Sequence, residues 1–303
     1  MLSRLQTEGS APTREQLAGV ELLEWRTPSA SDLDLRGSEV RHVRVTDIVS
    51  PLTIVLPAAA EAVTLSGRLS RVSVQGEVGA GASVSLWGDV SEGLPEWIRP
   101  AGELEISGPA QLDLSPIREM AHLRSLTVRG VTGRVTGCAS LAGTGRLERI
   151  AFYGCYDIDT AGFPHHSELP NLEWIMASDV GASDAKVLRE RFDGFWNGHV
   201  VHPRSRAWVE RHLGDPFRTW VDWSPRLGRK ASALWREAAA QLKAVDSVAD
   251  HERILGSFAT ALDGIAERQP LDTLQREQAG EAVRGLAAQY LPAEHPLRGW
   301  MPA

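Results

Sequence analysis

The chain has 303 residues, of which 43% are apolar, and a formal charge of −7. That apolar content supplies a sizeable core for two domains or one elongated one, and it excludes a disordered chain. The acidic balance argues against a nucleic-acid binder that relies on overall basicity, because neutralising phosphates needs a dense Lys/Arg footprint.

Only three of the 32 basic residues are lysines (Lys186, Lys230 and Lys243). This bias fits a GC-rich bacterial genome better than a chemical demand. The N-terminal MLSRLQTEGSAPTREQL lacks the roughly 7–15-residue apolar core of a signal peptide, and no stretch reaches the ~20 apolar residues of a membrane span. A cytoplasmic protein without membrane contact is expected. Cys138 and Cys155 are accordingly read as buried free thiols.

Residues 1–42, including LDLRG from Leu33, are expected to form an N-terminal cap. From Val43 the chain repeats a short apolar-x-apolar-x-Gly/Asp beat: VRVTD at Val43, VTLSG at Val63, VSLWG at Val84, LEISG at Leu104, LTVRG at Leu126, IAFYG at Ile150 and IMASD at Ile175. The starts are 20, 21, 20, 22, 24 and 25 residues apart. A period of this length marks a solenoid, in which no unit buries its apolar face alone and each stacks on its neighbours. Within a beat, period-2 alternation sends the two apolar side chains to one face, as a short parallel strand requires. The closing Gly or Asp suits a tight turn. Extra alternating pieces, LTIVL from Leu52 and RVSVQG from Arg71, predict a second strand on the back of the early units, whereas SPIREMAHL predicts a helical turn in a later one.

The last three units carry a fuller pattern: LRSLTVRGV from Leu123, LERIAFYGC from Leu147 and LEWIMASDV from Leu172. These resemble leucine-rich repeats, written Leu-x-x-Leu-x-Leu-x-x-Asn/Cys, with Cys155 where that family places its buried Asn or Cys. Val131, Val180 and Ala177 depart from the pattern. The resemblance covers residues 104–180 best and 43–103 more weakly. It implies an α/β solenoid, a leucine-rich-repeat-like array with a parallel β-ladder over residues 43–192, whose strands line a concave binding face.

The loop YGCYDIDTAGFPHHSE gathers Asp157, His165 and His166 with Cys155, and HVVH pairs His199 with His202. Both are weak metal candidates, since neither has the paired Cys/His spacing of a zinc site. No metal or other cofactor is expected. From residue 193 the apolar period becomes helical, along Ala231–Val245, Ile254–Ile265 and Leu274–Tyr290. A small all-α domain over 193–303 is predicted, sealing the last solenoid unit. It holds six of the ten tryptophans (Trp196, Trp208, Trp220, Trp223, Trp235 and Trp300), read mainly as core.

No GxSxG elbow, P-loop or paired Cys/His nucleophile motif appears. The leading expectation is a non-catalytic protein-protein interaction scaffold, one form of which is a bacterial inhibitor or immunity-type protein. Its partner-binding residues would be Trp87, Arg124, Arg129, Arg149, Tyr153, Trp174 and Met176, because Trp, Tyr and Arg dominate interface hot spots. The alternative is a small enzyme or ligand-binding protein with a site at the junction of solenoid and helices, using Trp196, His199, His202 or the 155–168 loop.

Overall fold

The computed structural model describes residues 3–302 except 59, 91, 219, 221–223 and 293, and only the backbone of Leu274. Trp223 and the Leu274 side chain therefore lie outside the described residues. The chain divides into two compact units, residues 1–210 and 211–303.

Among the described residues the first unit has sixteen short strands: β1 (Arg4–Glu8), β2 (Leu22–Arg26), β3 (Asp32–Asp34), β4 (His42–Ile48), β5 (Leu52–Val55), β6 (Ala62–Gly67), β7 (Val72–Gln75) and β8 (Ser83–Gly88) in its first half. They continue with β9 (Glu103–Ser107), β10 (Leu112–Asp113), β11 (Ser125–Arg129), β12 (Arg134–Thr136), β13 (Arg149–Tyr153), β14 (Asp157–Ile158), β15 (Trp174–Ser178) and β16 (Gly198–Val201). Ten of them form one parallel sheet in the order β1-β2-β4-β6-β8-β9-β11-β13-β15-β16, called the front ladder below. Two shorter parallel sheets, β3-β5-β7 and β10-β12-β14, form the back ladders.

Register follows the beat. Val63, Val84, Leu104, Leu126, Ile150 and Ile175 align in one column, and Leu65, Leu86, Ile106, Val128, Phe152 and Ala177 in another. Both columns are buried. A one-residue slip would expose every one of these side chains, so alternation alone fixes the pairing. At the end of each front strand (inside β4 at Asp47, as the last residue of β6 and β8 at Gly67 and Gly88, and just beyond the strand elsewhere) the chain turns through a residue with positive φ, from Gly9 at +72° to His202 at +49°. Gly67 shows why the turn is demanding. Its φ is +119°, and a Cβ there would run into the backbone of Ile48.

Residues 1–42, expected as a cap, contribute two strands to the front ladder and β3 to a back ladder. LTIVL and RVSVQG form β5 and β7, and SPIRE is a 3-10 turn over Ser115–Glu119. The helical region, expected from residue 193, begins later. Helix α1 (Ala182–Arg191) follows β15, and β16 then pairs in parallel with β15, so residues 193–210 belong with the strands. Gly181 is the N-cap residue of α1. A short helix α2 (Arg206–His212) spans the boundary between the units.

The second unit comprises α3 (Pro225–Lys243), α4 (Val248–Ala266) and α5 (Thr273–Tyr290). Pro225 at the start of α3 loses no helical hydrogen bond. Ser247 caps α4, and Asp272 with Gln275 forms a capping box on α5. Leu227, Ala231, Leu242, Ile254, Phe258, Leu262, Val283 and Leu286 make its core together with Phe217 and Trp220. Trp235 and Trp300 pack against that core. The other two described tryptophans of this set do not: Trp208 stacks on Arg204 and Tyr156 in the first unit, and Trp196 is 82% exposed. No helix among the described residues is long and apolar enough to cross a membrane.

Candidate functional site

The outward side chains of the front ladder form three columns. Between β9 and β15 they read Glu103, Ser125, Arg149 and Trp174; then Glu105, Thr127, Ala151 and Met176; then Ser107, Arg129, Tyr153 and Ser178. Cross-strand neighbours in such columns are close enough for their side chains to meet. Arg129 donates through Nε to Glu105 at 3.0 Å on one side and lies 4.2 Å from the centre of the Tyr153 ring on the other. Arg149 reaches across β11 to Glu103 at 3.4 Å, over the small side chain of Ser125. The face thus holds two acidic and two basic groups in fixed mutual positions beside an aromatic ring.

Of the seven expected contact residues, the structure brings Arg129 and Tyr153 into contact and places Arg149 at the other end of the same strand face, with Trp174 and Met176 half-buried on the adjacent strand. Trp87 is 39% exposed and stands on β8 between Ser66 and Ser107, two strands from Arg129. Arg124 is exposed but precedes β11, and its carbonyl accepts the N–H groups of Glu148 and Arg149. It belongs to the rim.

The histidine-rich loop has a structural role. His165 caps a 3-10 turn (His166–Glu168): its Nδ1 accepts from the Ser167 N–H at 3.3 Å while the Glu168 carboxylate accepts the His165 N–H at 2.7 Å. His166 Nδ1 lies 3.3 Å from the Arg191 carbonyl. Asp157 is on β14 and faces Arg134 at 3.6 Å. His199 stands on the outward face beside Met176 with Nε2 3.0 Å from Asn197, and His202 occupies the following turn. Among the described residues, no three His, Cys, Asp or Glu side chains are gathered as metal ligands.

Both cysteines are free and buried. Burial pushes the Cys138 thiol up to about 12, which keeps it protonated and unreactive at neutral pH. The Cys155 sulfur is 3.8 Å from the Val128 carbonyl of the neighbouring strand.

Two features escaped the sequence reading. Glu24, on β2, is only 6% exposed and is paired with Arg4 and, at 3.5 Å, with Arg44 on the flanking strands. The beat LEWRT from Leu23 would have placed it. The second is an apolar cavity of about 300 Å³ behind β6 and β8, discussed below.

No known family profile, curated protein or solved structure matches the chain. Functional assignment therefore rests on the geometry above.

Proposed function

We propose that residues 1–210 form a leucine-rich-repeat-like solenoid whose concave face holds a protein partner, in a cytoplasmic, non-catalytic scaffold of the inhibitor or immunity type. The observation that carries this reading is Arg129, fixed between Glu105 and Tyr153 on the outward face. A guanidinium already held by a carboxylate and an aromatic ring loses little rotamer entropy on binding, and such pre-organisation converts contact area into affinity. Arg149, Trp174 and Met176 extend the same surface with the residue types that anchor interfaces. The mixed charge of the face suits a partner with its own paired acidic and basic groups, where complementarity gives specificity more than raw affinity.

The test compares immobilised wild type with the triple variant Trp87→Ala, Arg129→Ala and Tyr153→Ala in lysate from the native cell. All three side chains are outward, so circular dichroism should be unchanged. The expected result is loss of the proteins that co-elute with wild type, corresponding to at least 2 kcal/mol at hot-spot positions. Equal retention by the variant would overturn the reading.

A further inference from the structure

Among the described residues the back of the first unit is interrupted between its two ladders. The ladder β3-β5-β7 ends at β7, the ladder β10-β12-β14 begins at β10, and the intervening residues 89–98 contribute a 3-10 turn over Glu96–Ile98 where a strand would continue the row. The Gln75 carbonyl accepts the Leu56 N–H at 3.0 Å, so Gln75 and, by alternation, Ser73 direct their backbone groups toward β5. Val74 directs its N–H and C=O the other way. Among the described residues neither group has a hydrogen-bond partner.

The cavity of about 300 Å³ opens at this edge. Leu69, Val72, Val74, Leu94 and Trp97 form apolar walls. Asp89, Glu92 and Glu96 also line it, Glu96 already paired with Arg99 at 3.0 Å, and among the described lining residues there is no Lys or Arg. An unpaired strand edge beside an apolar cavity is the geometry of strand addition, in which main-chain hydrogen bonds supply affinity and pockets for alternate side chains supply specificity.

We propose that this cleft takes an extended segment of a partner protein as a strand added to β7. The segment bonds the N–H and C=O of Val74, places one apolar side chain in the cavity, and sets a Lys or Arg against Glu92. This site is on a different ladder from the front face and acts independently of it. A volume of about 300 Å³ accommodates one or two side chains of Leu or Phe size, which limits the anchoring motif to a short stretch.

A random dodecapeptide library displayed on phage and selected against the full chain supplies the probe. Selected peptides should alternate apolar residues and carry a flanking Lys or Arg. Val74→Pro removes the outward N–H without disturbing the bonds that Ser73 and Gln75 make to β5, and Pro is tolerated at such an edge. It should weaken the selected peptides by about tenfold, the value of one backbone hydrogen bond with its desolvation. Glu92→Lys should weaken them several-fold, more at low salt than at high. The triple variant of the front face should bind them unchanged. Should Val74→Pro fail to fold, amide exchange in wild type decides: peptide must slow exchange at Val74. Failure to select any peptide, equal binding by Val74→Pro, an unprotected Val74 amide, or loss of binding in the front-face variant each overturns the proposal.

Discussion

The front ladder runs unbroken through ten strands, whereas the back is two three-stranded pieces separated by residues 89–98. Both are parallel and made by the same chain in the same turns, yet only the front carries two fully buried columns in nearly every strand. On the back, Val72 and Val74 of β7 are half-buried. The other back strands do bury Leu33, Leu52, Ile54, Leu112, Val135 and Ile158, so both faces stack, but the back row breaks after β7 while the front does not. The unbroken row holds every unit to the next, and the broken one makes the cleft.

A buried charge separates the two most sharply. Leu126→Asp places a carboxylate in the fully buried front column, where no partner can satisfy it. It should cost more than about 4 kcal/mol and unfold the first unit cooperatively. Val72→Asp, at the half-buried edge of the back ladder, should cost about 1 kcal/mol. Urea titrations of both variants check the contrast, and similar midpoints would show that front and back contribute alike.

The turns offer a finer test within the front ladder. Gly67→Ala meets both a positive φ and the Ile48 backbone, and it should lose roughly 2–4 kcal/mol. Gly108 has φ +78° with open space where a Cβ would sit, so Gly108→Ala should lose about 1 kcal/mol. Thermal scans that rank them the other way would break the link between turn crowding and stability.

The smallest effect lies at the end of the second back ladder. Asp184 on α1 is buried, and its Oδ2 accepts the Ile158 N–H of β14 at 3.0 Å. Desolvation raises its pKa above the usual carboxylate value, against the opposing pull of that hydrogen bond. The folded state therefore holds its proton more tightly than the unfolded chain, and stability falls as pH rises from the ordinary carboxylate value through the raised one. Asp184→Asn keeps an acceptor for Ile158 and removes the titration. The difference between the stability–pH curves of wild type and variant should show this decline, and parallel curves would exclude it.

Seven of the ten front strands are legible in the sequence because their apolar-x-apolar letters end in Gly or Asp. LEWRT and GHVVH are harder to read, since Thr27 and His202 make the turns where glycine usually stands and Gly198 occupies a buried-column position. LQTEG from Leu5 does fit the beat, but Thr7 replaces its second apolar letter. The outward face is legible residue by residue, while its pairings are not. Glu103 and Arg149 are 46 residues apart and meet only because β9, β11 and β13 stack in register. The cleft left no positive signal at all: it arises where residues 89–98, with Gly93 and Pro95, fail to alternate, and a missing strand has no motif.

The Asp184 carboxylate stands where the next strand of the back ladder would present a carbonyl. A parallel stack can in principle lengthen without limit by adding identical rungs, from another molecule as readily as from its own chain. By ending that row on an acidic side chain carried by a helix, the protein closes the outer edge of β14 at Ile158 to a further rung.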